Sequence, residues 1–400
     1  MTRRALKDLV TPVQTLNPQS DFDGKFTYID ISSLDQGTKR VVGARSVPSD
    51  EAPSRARQLV RAGDILVSTV RPNLNAVAAV PAELDEAIAS TGFCVLRPGP
   101  DLDSGYLKHW VMTSEFVSSM VRQATGQSYP AVSDRIVKQS TLPVPSVERQ
   151  QQIAAVLDQV NALRAKRRQA ITLLDDLTQS IFLDMFGDPA TNQRGWPTGS
   201  VADLVKRFET GKNLAPGDEG EGKFRVLKVS AVTSGEFNPE ESKPLPVDYT
   251  PPAAHMVKSG DLLFSRANTE ELIGAVALIE VDHSNLALPD KLWRFTWKDP
   301  DHAHPLYIRQ LFRQGEFRRQ VRERSSGTSG SMKNISQANV LSIECGIPPL
   351  DLRKRFSERA AEIDALRSVQ RSHLAALDEL FISIQQRAFS GTLWDHEAAA

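Results

Sequence analysis

Between Leu142 and Pro189 the apolar and polar positions keep one rhythm. Pro143 and Pro145 hold the entry extended, and Ser146 is placed to cap a helix by accepting an N–H bond from its first turn. Glu148 suits the positive end of the helix dipole. No Pro or Gly follows until Gly187, which predicts a single helix of roughly 40 residues, about 60 Å long. Apolar residues recur at Ile153, Val156, Val160, Leu163, Ala170, Leu174, Leu177 and Ile181, three and four apart. Such a stripe is a seam for a partner helix rather than a broad face for a globular core. Arg167 interrupts it.

The partner lies in the same chain. The stretch from Ile347 to Phe389 repeats the first at one constant offset, without a gap. Pro145 falls on Pro348, Val160 on Ile363, Arg164 on Arg367, Leu174-Asp175-Asp176-Leu177 on Leu377-Asp378-Glu379-Leu380, and Phe186 on Phe389. A period of about 200 residues marks a duplicated module, not a solenoid. Arg359, Gln370 and His373 stand at seam positions of the second copy and disturb its heptads.

Each long stretch follows a globular unit. In the first unit Tyr28–Ser32, Ile65–Ser68, Ala76–Val80 and Gly92–Leu96 read as strands, and Leu107–Arg122 is helical in period. Residues 37–62 are polar and loop-like, and Gly126–Ser133 is a flexible loop. The linker Gly187–Pro197 is rich in Gly, Pro and Asn. Beyond it the pattern returns. Gly63-Asp64-Ile65-Leu66-Val67-Ser68 matches Gly260-Asp261-Leu262-Leu263-Phe264-Ser265, Glu115-Phe116 matches Glu316-Phe317, and Val132-Ser133 matches Ile335-Ser336. The offset varies among these matches, so the loops differ in length between copies while the helices stay in register. That suits one scaffold carrying two specificities.

Composition narrows the class. A chain of 400 residues, 40% hydrophobic and 24% charged, fits two or three globular domains. The net charge of −1 means that any basic surface is local. Two cysteines, Cys94 and Cys345, cannot build a disulfide framework or a zinc site, which fits a reducing cytoplasm. The N-terminus lacks an apolar signal core, and no apolar run is long enough to span a membrane.

Catalytic constellations are missing. There is no Walker loop, no Gly-rich dinucleotide or adenosine fingerprint and no Cys/His metal spacing. His283, His302 and His304 sit in polar, Pro-rich surroundings and read as loop histidines. Leu288-Pro289-Asp290-Lys291 faintly resembles a nuclease motif but reads as a turn before the strand Leu292–Trp297. Gly327-Thr328-Ser329-Gly330-Ser331 lacks the Lys of a phosphate loop.

What remains is polar loops on two like units. Arg71, Asn73 and Asn75 share one loop, and Arg266 and Asn268 sit in the equivalent loop after Ser265. Arg and Asn are the side chains that read guanine and adenine edges with two hydrogen bonds. Ser128 and Tyr129 lie in the flexible loop of the first unit. In the second, an arginine run from Arg309 to Arg324 that includes Arg319 and Arg322 precedes Ser331, Lys333 and Asn334. Its place beside that loop suits phosphate contact. Arg164, Lys166, Arg167 and Arg168 read as a solvated helix face.

Two variable units, each followed by a long helix, resemble the specificity (S) subunit of type I restriction–modification systems. Leu142–Leu157, Met185-Phe186-Gly187-Asp188-Pro189 with Gly195-Trp196-Pro197, Gly63-Asp64-Ile65-Leu66 and Gly260-Asp261-Leu262-Leu263 carry the resemblance. It implies an α+β fold with target recognition domains at 1–143 and 189–345 and spacer helices at 144–188 and 346–392. The helices would form an antiparallel coiled coil, with pseudo-two-fold symmetry. Each domain would read one half of a split, asymmetric site on double-stranded DNA, and the helices would set the gap. Two modification (methyltransferase) subunits and the restriction subunits would dock on a cytoplasmic chain that is not itself an enzyme. S-adenosylmethionine and ATP would bind those subunits, leaving this chain without a cofactor. The competing readings are a nuclease or methyltransferase in its own right, and a coiled-coil scaffold without DNA binding.

Overall fold

A computed structural model describes residues 2–189, 191–212, 222–300, 302–327 and 332–393. The chain divides into two compact units, Met1–Arg168 with Arg371–Ala400, and Gln169–Gln370. Each combines a globular part with a segment from each of two long helices, Val147–Phe186 and Leu350–Ser390. The mixed α+β architecture read from the sequence is the one adopted.

The first long helix starts where Ser146 Oγ accepts the Arg149 N–H at 3.4 Å. It stops at Gly187, whose φ of +74° closes the last turn at little steric cost. The two helix segments in each unit run antiparallel. In the first unit His109 touches Asp158 and Phe381, while further along Arg164 meets Asp378. In the second unit Arg367 pairs with Asp175, and Phe356 packs on Phe182 and Phe186.

The packed face differs from the expected seam. Ile153 and Val160 are buried, but Val156, Leu163 and Leu177 are 38%, 40% and 45% exposed. Near its ends the first helix buries Ile153, Ala154 and Leu157 with the first domain, and Phe182 and Phe186 with the second. A helix seated against a domain presents a wide face with a period of 3.6, so a strict 3.5 seam drifts off it. Toward the middle polar residues hold the pair. Arg164 Nε donates to Asp378 Oδ1 at 2.5 Å and its guanidinium lies over the Phe381 ring, so it is not part of a solvated face.

In the first unit one sheet has the order Val10–Thr11, Phe93–Pro98, Ile65–Ser68, Val77–Ala79. The second unit repeats it with Val205–Thr210, Leu292–Trp297, Leu262–Ser265 and Val276–Leu278. A second sheet also recurs. Lys25–Ile29 is antiparallel to Arg45–Pro48 and parallel to Ile88–Ser90, as Arg225–Leu227 is to Ser242–Pro244 and Leu286–Ala287. The expected loop at 37–62 therefore contains the strands Arg40–Val41, Arg45–Pro48 and Ala56–Leu59. Their pairing is long-range, which short polar strands do not announce. The helical stretch Leu107–Arg122 is two helices, Ser104–Val111 and Ser114–Gln123, because Thr113 caps the second by accepting the Phe116 N–H.

The repeated Gly-Asp step has a structural cause. Gly63 and Gly260 sit at φ of +87° and +85°. Asp64 is buried and accepts the Arg61 N–H and two bonds from Arg97, at 2.9 and 2.7 Å. Asp261, partly buried, accepts the Lys258 N–H and one bond from Arg294, at 3.1 Å. In each unit this locks the turn before a central strand to the neighbouring strand. No helix of the described residues is long and apolar enough to cross a membrane.

Candidate nucleic-acid interface

In the first unit the central strand Ile65–Ser68 leads into a rigid turn. Arg71 and Asn75 both have left-handed backbones, φ of +50° and +46°, flanking the short helical turn Pro72–Leu74. Pro72 is buried, while Arg71, Asn73 and Leu74 are exposed. Left-handed non-glycine residues cost free energy and persist only when their surroundings hold them. Here the Arg71 N–H donates to Pro130 O at 2.7 Å, and Lys39 Nζ donates to the Asn75 carbonyl. Burial lowers the Lys39 pKa against the opposing pull of Asp35.

The flexible loop folds over this turn. Ala131 bridges both Val70 and Thr125, and the Val132 N–H donates to Thr69 O. Gly126, at φ of +101°, leaves no room for a Cβ beside the Tyr129 carbonyl. The Arg71 guanidinium lies 4.9 Å from the centroid of the Tyr129 ring, itself 68% exposed. Arg71, Asn73, Asn75, Ser128 and Tyr129 thus meet on one surface.

The second unit builds the corresponding place differently. Ala267–Asn268 pairs with Lys333–Asn334, and the Ile335 N–H donates to Arg266 O. By this ladder Asn268 is the counterpart of Arg71, and Arg266 that of Thr69. Arg266 turns inward: its Nε donates to Asp290 O at 2.8 Å and its guanidinium lies over the Trp293 ring. Leu288-Pro289-Asp290-Lys291 is thereby the bend that receives Arg266, ahead of the strand Leu292–Trp297. Asn268 Nδ2 donates to Ser265 Oγ, Lys333 lies 3.7 Å from Glu270, and Asn334 is exposed. Ser331 lies outside the described residues.

The arginine run is not one face. Arg309 is buried and pairs with Asp364 at 2.7 Å, and Arg318 donates to Glu271 O. Arg319 is held between Glu316 and Glu323, which raise its pKa. Arg322 is half-buried. Asp364 also accepts from Arg367, which is 2% exposed, so a buried charged network ties the helix Pro305–Arg313, which bears Arg309, to the second long helix. The clue available in the sequence was the repeat itself. Arg164 and Asp378 make the pair that their copies, Arg367 and Asp175, make in the other unit.

This surface can donate hydrogen bonds and stack. Among the described residues no three His, Cys, Asp or Glu side chains converge on a metal position. His302 pairs with Asp299, and His283 packs near Phe237. Burial raises the pKa of both thiols, that of Cys345 to about 12.

Residues 4–173 match the family described as type I restriction modification DNA specificity domain. The chain is 27% identical over 323 residues to the type I restriction enzyme EcoKI specificity subunit of Escherichia coli (strain K12), covering 75% of this chain and 68% of that protein. Its fold resembles a chain from a type I R-M system solved for complex assembly and conformational transition, with a TM-score of 0.57 and 22% identity over 98% of both chains. It also resembles the type I restriction–modification S subunit from M. genitalium, with a TM-score of 0.57 and 11% identity over 97% of this chain and 96% of that one.

Proposed function

Because the chain belongs to the specificity subunits of type I restriction–modification systems, we propose that it selects the DNA sequence on which such a complex acts. The observation that carries this is the duplicated scaffold with unlike chemistry at one matched position. Arg71 rests on an exposed Tyr129 in one unit, and Asn268 stands beside Lys333 in the other. Arg favours guanine and Asn favours adenine. Two like domains that present different donors suit an asymmetric, split target. Arg71, Asn73, Asn75, Ser128 and Tyr129 serve one half-site, and Asn268, Lys333 and Asn334 the other. Arg319 and Arg322 contribute phosphate contact rather than base reading. The recognition domains are 1–143 and 189–345, and the helices at 144–188 and 346–392 set the gap.

The chain itself does no chemistry in this reading. It works in the cytoplasm with two modification subunits, joined by restriction subunits, and S-adenosylmethionine and ATP bind those partners. Exposed leucines at matched helix positions, Leu163 and Leu366, and Leu177 and Leu380, support two similar docking places. A bare coiled-coil scaffold would have no use for the strained Arg71–Asn75 turn. The test is a gel shift of the chain, with its modification subunits, on mixed-sequence duplex DNA over a salt series. Binding that weakens steeply with salt supports DNA recognition. Absence of binding at low salt sinks it.

A further inference from the structure

The segment joining the antiparallel pair of the second sheet differs in charge between the units, more acidic in the second. In the first unit it is a hairpin, Leu34–Asp35 paired with Arg40–Val41, and it continues to Arg45. With the first strand residue Arg45 included, it carries Lys39, Arg40 and Arg45 against Asp30 and Asp35. In the second unit the segment between the same two strands, residues 228–241, carries Glu236, Glu240 and Glu241 against Lys228 alone.

The surroundings differ as well. Arg40 is exposed and has no ion-pair partner among the described residues. Arg45 keeps 61% of its side chain exposed, over the Tyr28 ring and 3.8 Å from Asp30. Val42, beside them, is 68% exposed. The charge of Asp35 is spent inside the turn, where its Oδ1 accepts from the Thr38 N–H and hydroxyl. Lys39 reaches the other way and binds the Asn75 carbonyl, so the hairpin is tied directly to the turn that bears Arg71. In the second unit Glu236 lies 3.7 Å from the buried Arg367, and Gly235 sits against the Arg313 guanidinium. There Gly235 and Glu236 turn inward, while Ser234, Asn238 and Glu240 stay exposed.

We propose that the hairpin from Leu34 to Arg45 is a second DNA-contacting element of the first unit, without a counterpart in the second. Arg40 and Arg45 meet backbone phosphates. Lys39 is a positioning residue that fixes the Asn75 end of the reading turn. This rests on the DNA-recognition reading above.

The test uses the full chain with its modification subunits and duplexes carrying the site found by methylation mapping. Each phosphate contact adds about 0.9 to the slope of log affinity against log salt. Arg40→Gln with Arg45→Gln should therefore flatten that slope by about 2 and weaken all sequences alike. Lys39→Met should instead lose discrimination at the half-site of the first unit, roughly 10-fold or more at one base position, and keep it at the other. Glu240→Gln with Glu241→Gln should leave the slope unchanged. A double arginine variant with the parental slope and affinity overturns the contact. A Lys39→Met chain with parental discrimination overturns the positioning role. If the parental complex shows no salt-sensitive binding, the DNA-recognition reading fails first, and this inference with it.

Discussion

Arg71 was legible in the sequence because Arg and Asn crowd one short loop. Lys39 was not, since a lone lysine in a polar stretch gives no sign of the carbonyl it will meet. Nor could the sequence separate Arg71 from Arg266. Both are arginines just after matched strands, yet one lies over an exposed ring and the other bends back to Asp290. The strand ladder, which aligns Asn268 with Arg71, makes that distinction. Single substitutions should therefore part. Arg71→Ala and Asn268→Ala should each remove roughly 1–3 kcal/mol of discrimination at one base position, in opposite half-sites. Arg266→Ala should lower stability more than it changes sequence preference. Binding across a panel of single-base variants, beside a melting curve, checks all three. A wild-type binding panel for Arg71→Ala would remove that residue from the interface.

Among the elements, both long helices were readable to within a few residues, because capping, length and absence of breakers are local signals. Their packed faces were not. Polar residues sit where apolar ones were expected, and Leu163 and Leu177 face outward. The sequence could not show that Arg309 would be buried against the second long helix, since its neighbours suggested a basic surface. Asp364 now holds two buried guanidinium groups, those of Arg309 and Arg367. Removing one member of a buried pair leaves an uncompensated charge and costs about 3–5 kcal/mol. Asp364→Ala should lose stability on that scale. Asp378→Ala should lose less, because that carboxylate is 38% exposed and water replaces its partner. Denaturant unfolding of the two variants gives the comparison, and equal losses would count against the network.

On the scale of the whole molecule, duplication was the most legible feature, because the repeat needs no gap along the helices. Loop conformation was the least legible, because it depends on contacts such as Arg71 with Pro130 that are remote in sequence. If the helices set the gap, changing their length should change it. Four residues added after Arg168 are about one turn, or 6 Å. One base pair spans about 3.4 Å, so the gap should grow by about one or two base pairs while both half-sites stay the same. The second helix is not lengthened, and part of the shift can be absorbed at its ends. An active complex with an unchanged gap would show that the helices are not the ruler.

The central claim, that this chain selects a split DNA site, is tested most directly by mapping methylated bases across the genome of cells that carry the partner subunits with and without it. The account predicts methylation that depends on the chain and falls on one motif: two unlike half-sites separated by a fixed gap of unspecified bases. Methylation that persists unchanged without the chain, or that follows one uninterrupted motif, would contradict it.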